Sequence, residues 1–434
     1  MKVLLVGSGG REDALAWALS RSPSTRLLRC APGNAGIARW AERVPIPATE
    51  IEALAVHAKA ERYDLVVIGP EGPLVAGLAD RLRERGVAVF GPSAAAAAIE
   101  GSKVFAKQFS TRHGIPTAAF EVFSDATAAR AFLESSAARY PLVIKADGLA
   151  AGKGVVLADD RDTAVRTAQT MLDGRAFGAA GRRIVVEERL EGREVSFFVL
   201  TDGESVVELA TCQDYKRALD GDRGPNTGGM GGYSPSVHLD DALRQQLLER
   251  FARPAVFGLA AEERPYRGVL YLGVMLTAAG PRLLEFNARF GDPETQVLVP
   301  RLDGDWLELL ALCARGGLNR ATPRWRRESA VCVVMTSADY PDGYATGQPI
   351  AGLDAAADPA EGLHVFHAGT ELDGTGRTVT SGGRVLGVTA LAPELAEARQ
   401  RAYAAVGRIH WTDERHRRDI GADAVAALGR TSNP

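Results

Sequence analysis

LEFNARFGDPE, residues 284–294, is the stretch that decides how this chain folds and where its chemistry lies. It follows an apolar run and a predicted Gly-Pro turn that begins at Gly280, so the pattern predicts the second strand of a β-hairpin. Side chains alternate between the two faces of a strand. Glu285, Asn287 and Arg289 are therefore expected to point the same way.

These three side chains combine a carboxylate, an amide oxygen and a guanidinium. Carboxylate and amide oxygens suit Mg²⁺ held against phosphate, and a guanidinium clamps an anionic group. A single Glu or Asn on a strand usually faces water. The strict alternation, followed by Gly-Asp-Pro, favours a binding site over that interpretation.

Length and composition exclude several classes of protein. A chain of 434 residues is too long for one core and predicts several domains. Its net charge of −3 and its short apolar runs give no reason to expect nucleic acid or a membrane as a partner. The absence of a signal-peptide pattern and the four widely spaced cysteines predict a cytoplasmic protein without structural zinc.

Lysine is used sparingly. Only seven of the 51 basic residues are lysine, and five of those seven lie between residues 103 and 216. Lysine is a compact point charge that often binds phosphate, whereas arginine is a wide bidentate clamp. A site-specific reason for lysine is therefore plausible in this segment, although Lys107 could be an accident of composition.

The first hundred residues alternate strands and helices, which predicts a doubly wound α/β domain with a parallel sheet. A single helix is expected over residues 74–85. The glycine-rich turn at Gly9-Gly10 precedes a helix, a position that suits anions. A dinucleotide-binding domain is disfavoured because Glu12 stands where the third glycine of that motif would be.

Two further glycine-rich runs stand out. Residues 147–154 join two predicted strands and are expected to close over phosphates. Residues 224–233, GPNTGGMGGY, are expected to let the backbone approach a ligand. Beyond residue 323 the pattern predicts a small α+β domain that carries little visible chemistry.

Four long motifs together resemble one family. IKADGLAAGKGV (144–155), QDYKR (213–217), GPNTGGMGGYSP (224–235) and EFNARFGDPETQ (285–296) are similar to the phosphoribosylamine–glycine ligase family of the ATP-grasp superfamily. The resemblance extends over nearly the whole chain, from Met1 to Trp411.

The resemblance implies a multidomain protein of mixed α/β and α+β class. It implies an N-terminal doubly wound domain (1–101), an ATP-grasp core (102–122 and 190–322) with an inserted lid (123–189), and a small C-terminal α+β domain (323–424). It also implies a probable monomer that acts on small molecules.

The family's activity would be to join glycine to 5-phosphoribosylamine. ATP would phosphorylate glycine to glycyl phosphate, with Mg²⁺ or Mn²⁺ as the metal. The amine of 5-phosphoribosylamine would then displace phosphate, giving glycinamide ribonucleotide and ADP in de novo purine biosynthesis.

The resemblance also assigns site residues. Catalytic roles would fall to Arg289, Lys145 and Asp214, with Arg289 orienting the glycine carboxylate and Asp214 holding its ammonium group. The metal would lie on Glu285 and Asn287. The ATP site would comprise Lys103, Lys145, Gly152, Lys153, Gly154, Glu187, Glu188, Leu190 and Glu194. The other substrates would meet Gly9, Gly10, Asp214, Lys216, Asn226, Thr227, Gly228, Gly229, Arg289 and Asp292.

Three positions depart from the family pattern. Asp13 and Tyr215 stand where the family usually or often has His, which would alter any contact that those histidines make with phosphoribosylamine. Gly273 stands where many ATP-grasp proteins have a carboxylate, so the metal would rely on fewer protein ligands.

Two alternatives remain open at this point. One is another ATP-grasp carboxylate–amine ligase, such as a purine carboxylase-like enzyme or biotin carboxylase, which the GPNTGGMG run disfavours. The other is a nucleotide-binding module that has lost catalysis, which the intact Lys145, Glu285, Asn287 and Arg289 disfavour.

Overall fold

A computed structural model describes residues 1–149, 154–174 and 178–431. Five parallel strands in the order β3-β2-β1-β4-β5 form the N-terminal sheet, with helices on both faces, which confirms the doubly wound prediction. The elements are β1 (Lys2–Gly7), α1 (Gly10–Ser20), β2 (Leu27–Pro32), β3 (Glu42–Arg43), α2 (Ile51–Ala60), β4 (Leu65–Ile68), α3 (Glu71–Val75), α4 (Leu78–Glu84), β5 (Val89–Phe90) and α5 (Ala94–Gly101).

The single helix expected over residues 74–85 is wrong. The chain forms two helices, α3 and α4, that are separated at Gly77. Gly77 has a φ of +87°, a left-handed conformation that no residue in a right-handed helix can adopt. The first of these helices, α3, begins at Glu71, which lines the central cleft.

The next segment is a small antiparallel sheet in the order β6-β9-β7-β8, covered by two helices. Residues 150–153, in the loop between β7 and β8, lie outside the described residues, so its closing over phosphates stays a prediction. The elements are α6 (Lys103–Arg112), β6 (Phe120–Phe123), α7 (Ala126–Glu134), β7 (Leu142–Ala146), β8 (Val155–Ala158), α8 (Arg161–Leu172) and β9 (Ile184–Glu188).

The central segment contains a second antiparallel sheet, in the order β11-β10-β16-β17. Its elements are β10 (Arg193–Thr201), β11 (Val206–Glu208), β12 (Gln213–Asp214), β13 (Arg217–Leu219), β14 (Arg223–Asn226), β15 (Gly231–Ser234), α9 (Asp241–Leu247), α10 (Arg253–Ala261), β16 (Gly268–Thr277), β17 (Gly280–Asn287), α11 (Glu294–Leu298) and α12 (Trp306–Arg315). A short π-helical segment, Leu248–Ala252, joins α9 to α10.

The hairpin predicted from residues 284–294 is formed by β16 and β17, but two of its details differ. Gly280 already pairs with Thr277, so the turn consists of Ala278 and Ala279, two residues earlier than expected. The φ of +102° at Gly280 explains the glycine there. The strand ends at Asn287, so Arg289 lies beyond it. The guanidinium nevertheless returns to the strand, with Nη2 3.4 Å from the Oδ1 of Asn287.

The C-terminal sheet has the order β12-β15-β18-β22-β19. Two of its strands, β12 and β15, come from the central segment, so the sheet contains residues from both sides of the predicted domain boundary at residue 322. The position of that boundary remains a prediction. The other elements are β18 (Ser329–Thr336), α13 (Leu353–Ala356), β19 (Leu363–His367), β20 (Thr370–Leu372), β21 (Thr378–Thr380), β22 (Arg384–Ala392), α14 (Leu395–Val406) and α15 (Ala422–Thr431). None of the described helices is both long and apolar enough to cross a bilayer.

Asp13 and Tyr215, the two positions predicted to depart from the pattern of the resembling family, both contact the C-terminal segment. Asp13 is fully buried, and its Oδ2 accepts a hydrogen bond from the backbone N–H of His367 at 2.6 Å. The hydroxyl of Tyr215 donates to Asp423 and accepts from the N–H of Gly421 at 2.9 Å. These side chains therefore hold parts of the fold together.

Arg417 is the largest fully buried side chain among the described residues. Its guanidinium donates to Asp419 at 2.7 Å, to Asp222 at 2.7 Å and to the carbonyl of Arg217 at 3.1 Å. Its Cζ lies 5.0 Å from the centre of the Tyr215 ring. One side chain thus fixes the β13–β14 hairpin to the C-terminal segment.

Arg417→Leu should lower the free energy of unfolding by about 2–3 kcal/mol, because hydrogen bonds from a buried charged donor are lost and Asp419, which is 30% exposed, loses its partner. Arg377→Leu is the matched control, since Arg377 is 65% exposed and pairs with Asp373 four residues away. An exposed pair of that kind contributes about 1 kcal/mol or less. Urea unfolding of the two variants should separate them, and equal losses would contradict the structural role of Arg417.

Candidate active site

One cleft of about 1730 Å³ lies where the N-terminal, central and C-terminal parts of the chain meet. Most of the residues assigned from the sequence line it: Gly9, Lys103, Lys145, Gly154, Glu187, Glu188, Leu190, Glu194, Asp214, Lys216, Asn226, Thr227, Gly228, Glu285, Asn287, Arg289 and Asp292. Gly10 and Gly229 are not among its lining residues. Gly152 and Lys153 lie outside the described residues.

Two lysines share one carboxylate at the end of the cleft assigned to ATP. The ammonium groups of Lys145 and Lys107 both pair with Glu187, whose side chain is 3% exposed. Lys107 also donates to the hydroxyl of Thr117 at 2.7 Å. Burial lowers the pKa of Lys107 to about 8, although Glu187 opposes this effect. Lys107 is therefore a buried member of the site and not an accident of composition.

Lys103 enters the cleft from the first turn of α6. Asp147 fixes that turn, because its Oδ1 accepts from the N–H of Val104 at 3.1 Å and from the hydroxyl of Ser102 at 2.8 Å. The ammonium of Lys103 donates to the carbonyl of Gly148 at 2.9 Å. Burial lowers the pKa of Lys103, so an incoming anion would compensate for lost hydration.

Glu285 lies among cations. Withdrawal from water would raise the pKa of Glu285, but the attraction of Lys216, Lys145, Lys103 and Arg289 outweighs it and lowers that pKa to about 2. The nearest of these ammonium groups, that of Lys216, is 3.6 Å from its Oε1. The carboxylate is therefore ionised at neutral pH and 42% exposed to the cleft.

Glu285 and Asn287 fit a hard divalent cation by the chemistry of their oxygens. Among the described residues, no three His, Cys, Asp or Glu side chains are grouped to bind a metal by themselves. Gly273 pairs directly with Glu285 across the hairpin, at the place where a further carboxylate would be. Two protein ligands suit Mg²⁺, which keeps several waters and binds substrate phosphates.

Arg289 is held by two carboxylates from the N-terminal part of the chain. Its Nε lies 3.2 Å from Glu71 and its Nη2 lies 3.2 Å from Glu100. Glu100 also accepts the N–H of Ala288 at 2.6 Å. Burial raises the pKa of Glu100 to about 7, and Arg289 opposes that shift while Glu71 adds to it.

A cluster of carboxylates surrounds Lys216 beside Arg289. Lys216 pairs with Glu194, and Glu285, Asp214 and Glu294 lie close enough to affect one another's titration. Burial raises the pKa of Asp214 well above its usual value; Lys216 opposes the shift, whereas Glu294 adds to it. A second ammonium group beside Asp214 would favour the ionised form of that carboxyl group and so oppose the rise in its pKa.

Protein carboxylates already occupy backbone donors at the start of α1. Glu12 accepts the N–H of Gly9 at 2.7 Å, and the Oδ2 of Asp292 lies 3.4 Å from the N–H of Arg11. A Cβ at Gly69 would lie 2.0 Å from Glu12, so that glycine makes room for the carboxylate. Glu12 therefore partly fills the position in which we expected an anion.

We expected the backbone of the loop Asn226–Gly229, here called the substrate loop, to be free to approach a ligand. Its backbone instead forms hydrogen bonds within the protein. The N–H of Thr227 donates to the carbonyl of Lys216 at 2.7 Å, and the N–H of Gly229 donates to the hydroxyl of Thr227 at 3.0 Å. A Cβ at Gly229 would lie 2.4 Å from Pro293. The glycines are needed for contacts within the protein, and side chains such as Asn226 are left to meet a substrate.

Several residues of the site carried no sequence signal that we used. Lys107 could have been found from the rarity of lysine, and Glu294 from its place in the deciding stretch. The carboxylates that hold Arg289 come from a distant segment. The C-terminal segment, which we expected to carry little chemistry, adds six residues to the lining of the cleft: Tyr340, Arg384, Arg417, Asp419, Ala422 and Asp423. Tyr340 and Arg384 lie beside the substrate loop.

Comparison with known proteins agrees with this architecture. The chain matches the phosphoribosylglycinamide synthetase N domain over residues 1–100, the ATP-grasp (A) domain over 101–295 and the C domain over 330–423. It is 52% identical to the phosphoribosylamine–glycine ligase of Caulobacter vibrioides over 426 residues, which is 98% of this chain and 99% of that one. It is 50% identical to the phosphoribosylamine–glycine ligase of Allochromatium vinosum over 429 residues, which is 98% of this chain and 99% of that one.

The fold matches a solved structure along almost its full length. The crystal structure of phosphoribosylamine–glycine ligase from Thermotoga maritima aligns with a TM-score of 0.84 at 34% identity, covering 97% of this chain and 100% of that one. Family matches, relatives and fold therefore agree across all three parts of the molecule. The chain belongs to the phosphoribosylglycinamide synthetase family, the phosphoribosylamine–glycine ligases.

Proposed function

We propose that this protein is an ADP-forming ligase that joins glycine to 5-phosphoribosylamine and so makes glycinamide ribonucleotide for purine biosynthesis. The observation that carries the proposal is the position of Glu285. One ionised carboxylate is within the influence of Lys103, Lys145, Lys216 and Arg289 in a single cleft. Phosphate-binding cations and an anion clamp therefore converge on one place, as ATP-driven activation of a carboxylate requires.

Lysine side chains would hold the phosphates of ATP. Lys103 and Lys145 would bind phosphate oxygens, with Glu187 keeping Lys145 in place until ATP arrives. The segment from Glu187 to Leu190 would face the adenine, and Glu194 the ribose. The glycine loop between β7 and β8, including Gly154, would close over the phosphates.

Glu285 and Asn287 would hold Mg²⁺ or Mn²⁺. A divalent ion at these ligands supplies charge that stabilises the transferred phosphoryl group, worth several kcal/mol of barrier. Gly273 supplies no carboxylate opposite Glu285, which suits an ion that keeps several of its own waters.

Glycine would bind between Arg289 and Asp214. The guanidinium of Arg289 would orient the carboxylate, since Glu71 and Glu100 fix its direction. The ammonium group would pair with Asp214 and favour the ionised form of that carboxyl group. Glycine's own amine would then stay protonated and would not compete as a nucleophile.

The reaction would proceed in two displacements. A carboxylate oxygen of glycine attacks the γ-phosphorus of ATP, and the bond to the β–γ bridging oxygen breaks to release ADP. The amine nitrogen of 5-phosphoribosylamine then attacks the acyl carbon. The C–O bond to phosphate breaks, phosphate leaves with that oxygen, and the nitrogen loses a proton to form the amide.

The test of the function is ADP formation with glycine and freshly made phosphoribosylamine, each omitted in turn. Glycine labelled with ¹⁸O in its carboxylate should pass one oxygen to inorganic phosphate. Label in AMP would contradict an acyl phosphate and indicate an adenylate. ADP formation that needs bicarbonate and not glycine would favour another ATP-grasp ligase, and no turnover at all would favour a non-catalytic module.

The cellular compartment and the oligomeric state of the protein are further parts of the proposal. The four cysteines are buried and free, which supports the reducing cytoplasm as the compartment. The monomeric state that the resemblance implies stays a prediction that sedimentation equilibrium would test.

Glu285→Gln should reduce kcat/KM at limiting Mg²⁺ by about 100-fold or more, because it removes the charged ligand of the ion. Asn287→Ala should lose less and recover partly when Mg²⁺ is raised. The measurement is the Mg²⁺ dependence of ADP release. Glu61→Gln serves as a control, since Glu61 pairs with Arg29 away from the cleft. Near-normal turnover of both site variants at limiting Mg²⁺ would rule out the metal assignment.

The activity should fall as the pH is lowered through about 7, because Glu100 protonates there and stops balancing Arg289. Glu100→Gln should lack this acidic limb and should be slower at pH 8. Dividing the rate of Glu100→Gln by the rate of the wild type at each pH removes the effect of substrate ionisation. An unchanged acidic limb in Glu100→Gln would contradict the assignment.

The same shift has a consequence for stability. The pKa of Glu100 is raised from 4.5 to about 7 by folding, so the stability that the group contributes is lost as the pH rises across that interval. Compared with wild type, Glu100→Gln should therefore be relatively more stable at pH 8 than at pH 5.

A further inference from the structure

Arg384, from the C-terminal segment, contacts the substrate loop directly. Its Nη1 donates to the carbonyls of Gly228 at 2.7 Å, of Gly229 at 3.4 Å and of Asp292 at 2.6 Å. Its Nη2 lies 3.4 Å from the carboxylate of Asp292. One guanidinium therefore joins the apex of the loop to the Gly-Asp-Pro turn that follows β17.

The end of β22 is shaped to deliver this side chain. Thr336 pairs with Arg384 and Met335 pairs with Leu386, so Val385 is an extra residue in the ladder. A bulge of this kind redirects the side chains beside it. At Gly228, a Cβ would lie 2.9 Å from the Cζ of Arg384, so only a glycine lets the guanidinium lie this close to the loop.

Tyr340 holds the other side of the same peptide. Its hydroxyl accepts the N–H of Gly228 at 3.0 Å, while Arg384 binds the carbonyl of that residue. A Cβ at Gly383 would lie 2.3 Å from the Tyr340 ring, which therefore packs closely on the chain next to Arg384. Both polar groups of the loop apex are thus satisfied by the C-terminal segment.

Arg384 also links the loop to the start of α1. Asp292 receives Arg384 on its Oδ2, which also lies 3.4 Å from the N–H of Arg11, and Gln296 donates to its Oδ1 at 2.7 Å. The side chain of Arg384 is 21% exposed, and it lines the cleft beside Gly228. The lysines assigned to ATP make no contact with it among the described interactions.

We propose that Arg384 is a positioning residue for the sugar-phosphate substrate: together with Tyr340 it locks the substrate loop into the shape that binds phosphoribosylamine. The proposal rests on the proposed function. Because Asn226 and its neighbours can reach a substrate only from a fixed backbone, loss of the lock weakens sugar-phosphate binding. The ATP end keeps its own anchors, Glu187 and Asp147, and is unaffected.

The test compares the binding of two stable ligands, glycinamide ribonucleotide and MgADP, by titration calorimetry. In Arg384→Gln the affinity for glycinamide ribonucleotide should fall about tenfold, the cost of one or two hydrogen bonds to a charged donor. The affinity for MgADP should stay within about twofold. Arg384→Lys, which keeps the charge but not the fork of donors, should lie between wild type and Arg384→Gln.

Tyr340→Phe and hydrogen exchange make the test independent of any folding defect in the Arg384 variants. Tyr340→Phe removes only the acceptor of the Gly228 N–H, and it should weaken the same ligand by a smaller factor. Exchange of the backbone amides of Gly228 and Gly229 should speed up in each variant. Arg377→Gln is the control, because Arg377 lies in the same segment, pairs with Asp373 and does not line the cleft, and it should leave both affinities unchanged.

The outcomes distinguish the two proposals. Equal weakening of both ligands, or no weakening of glycinamide ribonucleotide in either Arg384→Gln or Tyr340→Phe, overturns the positioning role alone. A wild-type protein that binds MgADP but not glycinamide ribonucleotide overturns the proposed function and this inference with it.

Discussion

The pairing of Arg289 with Glu71 and Glu100 is the interaction on which the cleft depends. The arginine follows the central hairpin, while its two partners come from the start of α3 and the end of α5. Removing either carboxylate would leave a cation less compensated in a partly enclosed site. The pairing therefore fixes the side chain and links the hairpin to the N-terminal part of the chain.

The same principle repeats along the cleft. Three further cations of the cleft have a carboxylate beside them: Lys145 has Glu187, Lys216 has Glu194, and Arg384 has Asp292. Donors held in place by the fold need not reorganise when charge develops during a reaction. The carboxylates therefore hold these cations in position within the cleft.

The hairpin could be predicted from the sequence because its signal is local. The alternation of side chains along one strand is visible within eleven residues. The sequence also indicated the lysines, since a scarce residue type stands out. It could not give Glu71 or Glu100, because nothing local distinguishes a carboxylate that turns toward a residue some two hundred positions away from one that faces water. The helix break at Gly77 was missed because a glycine inside an apolar pattern is compatible with a continuous helix as well as a break.

The glycines of residues 224–233 show a different limit. Their density correctly indicated close approach of the backbone to another group, but that group is the protein itself, through Arg384 and Pro293. Sequence patterns specify the space that a glycine provides and not what fills it. In the same way, Asp13 and Tyr215 depart from the family pattern at positions whose side chains turn out to join segments of the fold.

The strands β12 and β15 have a consequence for how the chain can be divided. They complete the sheet of the C-terminal segment from within the central segment, with β15 covering the edge of β18. A fragment that begins at residue 323 would expose the part of that edge that β15 covers, the four buried residues 330–333, to pairing with other chains. Recombining homologous genes at this point would likewise separate a strand from its neighbour. The family matches divide the chain into three successive segments, whereas the hydrogen bonds of the C-terminal sheet join strands from two of them. Functional chimaeras would therefore have to exchange residues 213–234 together with the C-terminal segment.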